Sequence, residues 1–218
     1  MKVIGLTGGI ATGKSTVASL LRERGAEIVN ADELAREIVR PGAKGWRRVV
    51  EVFGPEILKE DRTIDREKLR KIIFSDGATR KKLESITHPL IRELANQRIR
   101  ELAAKAGEMA VYEAPLLFEN RIHLWLRPVI VVLCDPETQK ERLRKRDGLD
   151  EKEIEQHLKA QMPVAEKRKL ADYIIENNGG LEELRDQVQG IWEKIFVTSP
   201  APDISPRKGR HGRDRPPE

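Results

Sequence analysis

The chain is predicted to be an α/β protein, a five-stranded parallel sheet sandwiched by helices, and three features of its sequence carry that expectation. Short apolar runs, mostly rich in β-branched residues, occur at Lys2 to Leu6, Glu27 to Val29, Met109 to Tyr112, Val129 to Leu133 and Tyr173 to Ile175. Helical patterns separate them, and that alternation implies parallel strands covered on both faces, with ligands at their carboxyl ends. The first run meets glycines and then an amphipathic pattern from Ser15 to Arg24, with Val17, Ala18, Leu20 and Leu21 on its inward face.

Uneven spacing adds two insertions to this core. Roughly 80 residues separate the second run from the third, where an ordinary connection takes a few. The segment is helical in pattern, broken at Pro41-Gly42, Gly54-Pro55, the Asp61 region, Ser75-Asp76-Gly77 and His88-Pro89, with His88 expected to open a helix from Leu90 to Ala104 in a capping or packing role. A second insertion, charged and helical between Asp135 and Ala171, has Gly148 and Pro163 as hinges or helix limits and reads as a lid. The expected division is a core of residues 1–31, 108–137 and 168–197, a helical substrate domain of 32–107, a lid of 138–167 and a disordered basic tail of 198–218.

Composition narrows the class. A chain of 218 residues can bury a real core. Its one cysteine, Cys134, cannot pair internally and reads as a small buried residue. The N-terminal apolar run is too short for a signal-peptide core and no stretch spans a bilayer, so a cytoplasmic location without a membrane partner is expected. The net charge of +5 resides largely in the terminal SPRKGRHGRDRPPE, while elsewhere acidic and basic residues interleave; with aromatics at 4%, a nucleic-acid partner is not expected. Trp46, Trp125 and Trp192 are too scattered for a stacking surface and read as core or interface residues.

The chemistry begins at Gly8, Gly9, Ile10, Ala11, Thr12, Gly13, Lys14 and Ser15, which satisfy the phosphate-loop pattern G-x-x-x-x-G-K-[ST] in full. Glycines let the backbone close around phosphate oxygens, so that successive N–H groups and the following helix N-terminus point at the anion. Lys14 is then expected to reach the β and γ phosphates and the Ser15 hydroxyl to ligate magnesium, with Gly9, Ala11, Thr12, Gly13 and Thr16 completing the ATP site. Such a loop says by itself only that phosphate is bound.

Other segments select the reaction. Asp32 follows the second strand on the same sheet edge, where it either accepts a proton from an attacking hydroxyl or caps the helix ELAREIV. Glu113, at the end of the third strand, is either the carboxylate that supports magnesium or an ion-pair partner. In the lid, Arg142 and Arg146 stand four apart on one helical face, fit either to clamp a transferring phosphoryl or to lie solvated. No His or Cys cluster suggests zinc.

Taken together, IGLTGGIATGKSTV, NADELAREIVRPG, FGPEIL with DREKLRKIIF, THPLIR, APLLFE, ETQKERLRKRDG and KAQMPVAEKRKLADYIIENNG resemble the dephospho-coenzyme A kinase family over Val3 to Asn178. The resemblance implies a P-loop nucleoside triphosphate hydrolase fold and a transferase that moves a phosphoryl group from Mg-ATP to the ribose 3′-hydroxyl of dephospho-coenzyme A, the last step of coenzyme A synthesis. It implies that Asp32 activates that hydroxyl, that Lys14 with Arg142 or Arg146 stabilises the phosphoryl, that Asn177 lies near adenine, and that Thr7, His88, Pro115 and Leu116 lie beside the substrate. A monomer or weak homo-oligomer is expected. The chain departs from the family's pattern at Ala11, often glycine; at Asn30, commonly Asp; and at Glu113, usually Asp or apolar. The alternatives are a nucleoside-monophosphate or small-metabolite kinase of similar architecture and a nucleic-acid-binding or regulatory ATPase using the basic tail.

Overall fold

The computed structural model describes residues 1–105 and 108–198. Five strands, β1 (Lys2–Gly8), β2 (Glu27–Asn30), β3 (Met109–Glu113), β4 (Val129–Leu133) and β5 (Tyr173–Glu176), form one sheet in the order β2-β3-β1-β4-β5. Every pairing is parallel. Each apolar run in the sequence is a strand, extended by one or two residues at most. β1 is central, so the loop that leaves it opens between the two halves of the sheet, where the strand order reverses and a ligand crevice forms.

Alternation along the strands divides the core. In β4, Ile130 and Val132 join Ile4, Leu6, Met109, Val111 and Ile175 beneath helices α1 (Lys14–Glu23) and α9 (Leu181–Thr198), with Leu20, Leu21, Val188 and Ile195 packed against them. Val129, Val131 and Leu133 face the opposite side with Tyr112, Leu117, Phe118 and Ala95. The sheet therefore buries both faces, which explains its nearly continuous apolar runs.

Between β2 and β3 lie α2 (Ala31–Glu37), α3 (Lys44–Phe53), a 3-10 turn at Pro55–Ile57, α4 (Arg66–Ser75) and α5 (Gly77–Ala104). These helices carry a third cluster of their own around Val49, Phe53, Ile57 and Ile64, with Trp46 packed against it. Asp65 and Asp76 cap α4 and α5 through side-chain bonds to two backbone N–H groups each. The break expected at His88-Pro89 does not occur: α5 runs through Pro89 for 28 residues. Proline forfeits one backbone hydrogen bond, but Leu83 and Ile86 pack on the third cluster while Ile91, Leu94 and Ala95 pack on the sheet, and that burial on both sides holds the helix together. His88 is accordingly a mid-helix residue rather than a cap.

After β4 come α6 (Pro136–Asp147), α7 (Glu151–Lys159) and α8 (Val164–Leu170). Gly148, at φ 66°, ends α6 in a left-handed cap; Asp150 and Glu153 close a reciprocal capping box on α7; Pro163 is the N-cap of α8. The basic tail expected at 198–218 lies outside the described residues beyond Thr198. Among the described residues, no helix is long and apolar enough to cross a membrane.

Candidate active site

The loop after β1 owes its shape to backbone freedom at two positions. Gly13 sits at φ 88°, and a Cβ there would stand 2.1 Å from Asn177 Nδ2, so no other residue fits. Ala11 adopts φ 57° in spite of its Cβ, which makes this a locally strained position in the loop. Inside the turn, the Thr12 hydroxyl donates to the Gly9 carbonyl at 2.9 Å. The N–H groups of Thr16 and Val17 bond the Gly13 carbonyl at 3.0 and 3.1 Å, starting α1.

Neighbouring elements hold the loop from outside. Asn177, just after β5, donates from Nδ2 to the Thr12 carbonyl at 2.8 Å. Arg142, on α6, donates to the carbonyls of Thr12 at 3.4 Å and Asn177 at 3.0 Å. The Ile10 peptide is gripped at both ends, its carbonyl accepting from Gln139 Nε2 and its N–H donating to Gln161 Oε1 at 3.0 Å. A cavity of about 930 Å³ opens over this cradle, lined by Gly8 to Thr16 and by Asp32, Pro115, Arg142, Arg146, Gln161 and Asn177.

Lys14 pairs with Glu113, which is only 6% exposed. The second Glu113 oxygen accepts from Asn30 Nδ2 at 3.0 Å, because Asn30 and Glu113 are register partners across β2 and β3. Asn30 uses its other end as well: Oδ1 accepts from the N–H groups of Asp32 (2.8 Å) and Glu33 (3.2 Å). Asn30, not Asp32, is therefore the N-cap of α2. β2 runs one residue further than its apolar pattern, and that shift places Asp32 in the first turn of the helix. Its carboxylate makes no hydrogen bond or ion pair among the described residues, and it lines three cavities at once.

The second cavity, about 530 Å³, is walled by Ala35, His88, Arg92, Tyr112, Leu116 and Trp125. Asp32, Pro115 and Gln161 belong to both it and the loop cavity. Burial, reinforced by the nearby Asp32 charge, pushes the Tyr112 phenol up to about 12. A third space of about 400 Å³ continues from Asp32 and His88 toward Arg36 and Arg66.

Several expected residues thus converge: the loop from Gly9 to Thr16 with Asp32, Arg142, Arg146 and Asn177 in one cavity, and Asp32, His88, Pro115 and Leu116 in the next. Four differ from expectation. Thr7 is wholly buried with its hydroxyl on the Pro115 carbonyl at 3.2 Å, so it braces the APLLFE turn and lines neither cavity. Both arginines have protein partners, Arg142 on the loop carbonyls and Arg146 bidentate on Asp147 at 2.9 and 2.7 Å. Trp125, expected in a core or interface, is 49% exposed on the wall of the second cavity, 6.5 Å from the Tyr112 ring. Gln161 and Trp125 carry no pattern in the sequence, since a lone glutamine in a charged run and an isolated tryptophan look the same wherever they fold.

The donor set fits magnesium held mainly by phosphates. Ser15 lines the loop cavity, Glu113 lies behind Lys14, and no group of three or more His, Cys, Asp or Glu capable of holding a metal by itself occurs among the described residues. Magnesium binds in that manner, keeping several waters and taking one or two protein ligands.

A phosphate loop on a parallel sheet, with a free carboxylate shared between two cavities, defines a P-loop kinase. The family model described as dephospho-CoA kinase matches residues 2–183. The dephospho-CoA kinase of Geobacter sulfurreducens is 49% identical over 196 residues, covering 90% of this chain and 100% of that protein. The chain belongs to the dephospho-CoA kinase family. Among solved structures, one from Thermus thermophilus is similar at 34% identity with a TM-score of 0.76, covering 89% of this chain and 97% of its own. The dephospho-CoA kinase of Campylobacter jejuni is similar at 30% identity with a TM-score of 0.67, covering 89% and 98%.

Proposed function

We propose that the protein transfers the γ-phosphoryl group of ATP to the ribose 3′-hydroxyl of dephospho-coenzyme A, giving coenzyme A and ADP. The observation that carries this reading is the position of Asp32, an unpartnered carboxylate on the boundary of the phosphate-loop cavity and the second cavity. A phosphoryl donor in one and an alcohol in the other meet there. The acceptor oxygen forms its bond to phosphorus, the bond from phosphorus to the β–γ bridging oxygen breaks with its electron pair leaving on ADP, and the acceptor proton passes to Asp32. Lys14 exchanges Glu113 for phosphate oxygens, and the loop N–H groups hold the rest of the chain of phosphates.

Ser15, with Glu113 in support, would hold magnesium, which supplies charge neutralisation between the phosphates. Asn177 lies near the adenine, and Arg142 or Arg146 turns from its protein partners to the phosphoryl when the lid segment closes. The same reading divides the chain into a core, a helical substrate domain and a lid at the bounds its spacing suggests. The same proposal includes work as a monomer or weak homo-oligomer in the cytoplasm, with neither nucleic acid nor membrane as partner.

The test is coupled ADP release with an acceptor panel. Dephospho-coenzyme A is expected to be turned over far faster than AMP, cytidylate or shikimate. Equal or faster turnover of any of these three would overturn the assignment.

A further inference from the structure

Three residues line both cavities, and of these only Asp32 has a chemical part in the proposed transfer. Pro115 offers no donor. Gln161, in the link between α7 and α8, offers one, and its orientation follows from elementary valence. The Ile10 N–H can only donate, so the atom 3.0 Å from it must be the carboxamide oxygen, Oε1. With the oxygen held on the loop, Nε2 is the free end of the amide, with no partner among the described residues, on a residue that lines both cavities.

The boundary therefore carries one acceptor-only group, Asp32, and one neutral donor, Gln161. In-line transfer has a use for each. The attacking hydroxyl must lose a proton, which Asp32 takes, while charge spreads over the equatorial oxygens of the phosphoryl in flight, which a preorganised neutral donor stabilises without reorganising. The anchor also matters. Because the Ile10 peptide is held by Gln161 on its N–H side and Gln139 on its carbonyl side, the donor is indexed to the same loop that cradles the phosphates.

We propose that Gln161 is a catalytic residue whose Nε2 donates a hydrogen bond to the phosphoryl group during transfer, with the Ile10 N–H fixing its direction. The proposal rests on the kinase reading of the two cavities and adds to it a group that nothing in the phosphate-loop pattern specifies.

The experiment compares Gln161→Met with Asp32→Asn in steady-state kinetics with dephospho-coenzyme A and Mg-ATP. Gln161→Met keeps length and bulk and removes both amide ends. Its kcat is expected to fall about 10²-fold, as for loss of one preorganised donor, with KM for ATP changed less than about threefold. A glutamine that merely propped the loop would raise KM for ATP and leave kcat at saturation intact, and that result overturns the proposal. Should Gln161→Met fail to fold, Gln161→Glu keeps an oxygen for the Ile10 N–H and replaces the donor. It is expected to retain the wild-type melting temperature and lose at least as much kcat, and a kcat within threefold of wild type refutes the assignment. Asp32→Asn separates the two layers: normal turnover in that variant sinks the reading of the junction itself, whereas a dead Asp32→Asn beside an active Gln161→Met sinks only the role given to Gln161.

Discussion

Lys14 is expected to bind phosphate, yet it is bound to Glu113, so nucleotide binding must exchange one anion for another. Replacing Glu113 by Gln exposes the energetics of that exchange. The Lys14 side chain is 15% exposed and that of Glu113 7%, so water screens little of the pair. A glutamine can still accept from Asn30, but it turns its amide donors toward an ammonium that is itself a donor. The loss should be about 2 kcal/mol, at the level of a hydrogen bond to a charged group and below a fully buried ion pair. For a chain of this size that corresponds to a melting temperature lower by about 4–8 °C without nucleotide.

With saturating ADP and a chelator, Lys14 has left Glu113 for phosphate in wild type and variant alike, so the two should melt within about 2 °C of each other. Glu113→Gln therefore lowers stability while enlarging the nucleotide-induced shift. Scanning calorimetry with and without ADP measures both quantities. If the variant melts as wild type does without ADP, or falls equally with it, Lys14 is not partitioned between carboxylate and phosphate.

Further expectations concern the second cavity and Asp32. Asp32→Asn should lower kcat by about 10² or more with ATP affinity largely intact, read by steady-state kinetics and by calorimetric titration of nucleotide. Trp125→Ala should raise KM for the acceptor about tenfold with kcat little changed, the size of one lost base–aromatic contact; an unchanged KM would return Trp125 to the surface. Tyr112, with a folded pKa of about 12, binds its proton more tightly folded than unfolded, where phenols titrate near 10. Its contribution is whole below about pH 10 and is lost as pH rises toward 12, and Tyr112→Phe should flatten that part of the stability profile.

Legibility in the sequence followed the range of the forces involved. The five strands and the loop were readable because β-branched runs and glycine spacing act within a few residues. The ends of α6 and α8 were readable for the same reason, at Gly148 and Pro163. The helix through Pro89 was not, because a local penalty was outweighed by burial against two clusters far apart in the chain. Nor was the cap of α2: Asn30 and Asp32 are equally good caps in isolation, and the pairing of Asn30 with Glu113 on another strand decided between them. Gln161 acquires its place from Ile10, 151 positions away, which no local pattern encodes.

Helix α5 has a mechanical consequence. It is one rod shared by two bodies, its first half seated in the third cluster and its second against the sheet. From Pro89 back to Gly77 the lever arm is about 18 Å. A tilt of roughly 10° at the proline, where the rod lacks one internal bond, would swing the far end by about 3 Å while its root stays clamped. Such a tilt would carry the helical insertion across Asp32 while the packing of Ile91, Leu94 and Ala95 keeps the root of the rod on the sheet, so the opening of the second cavity would follow the rotation of a single element.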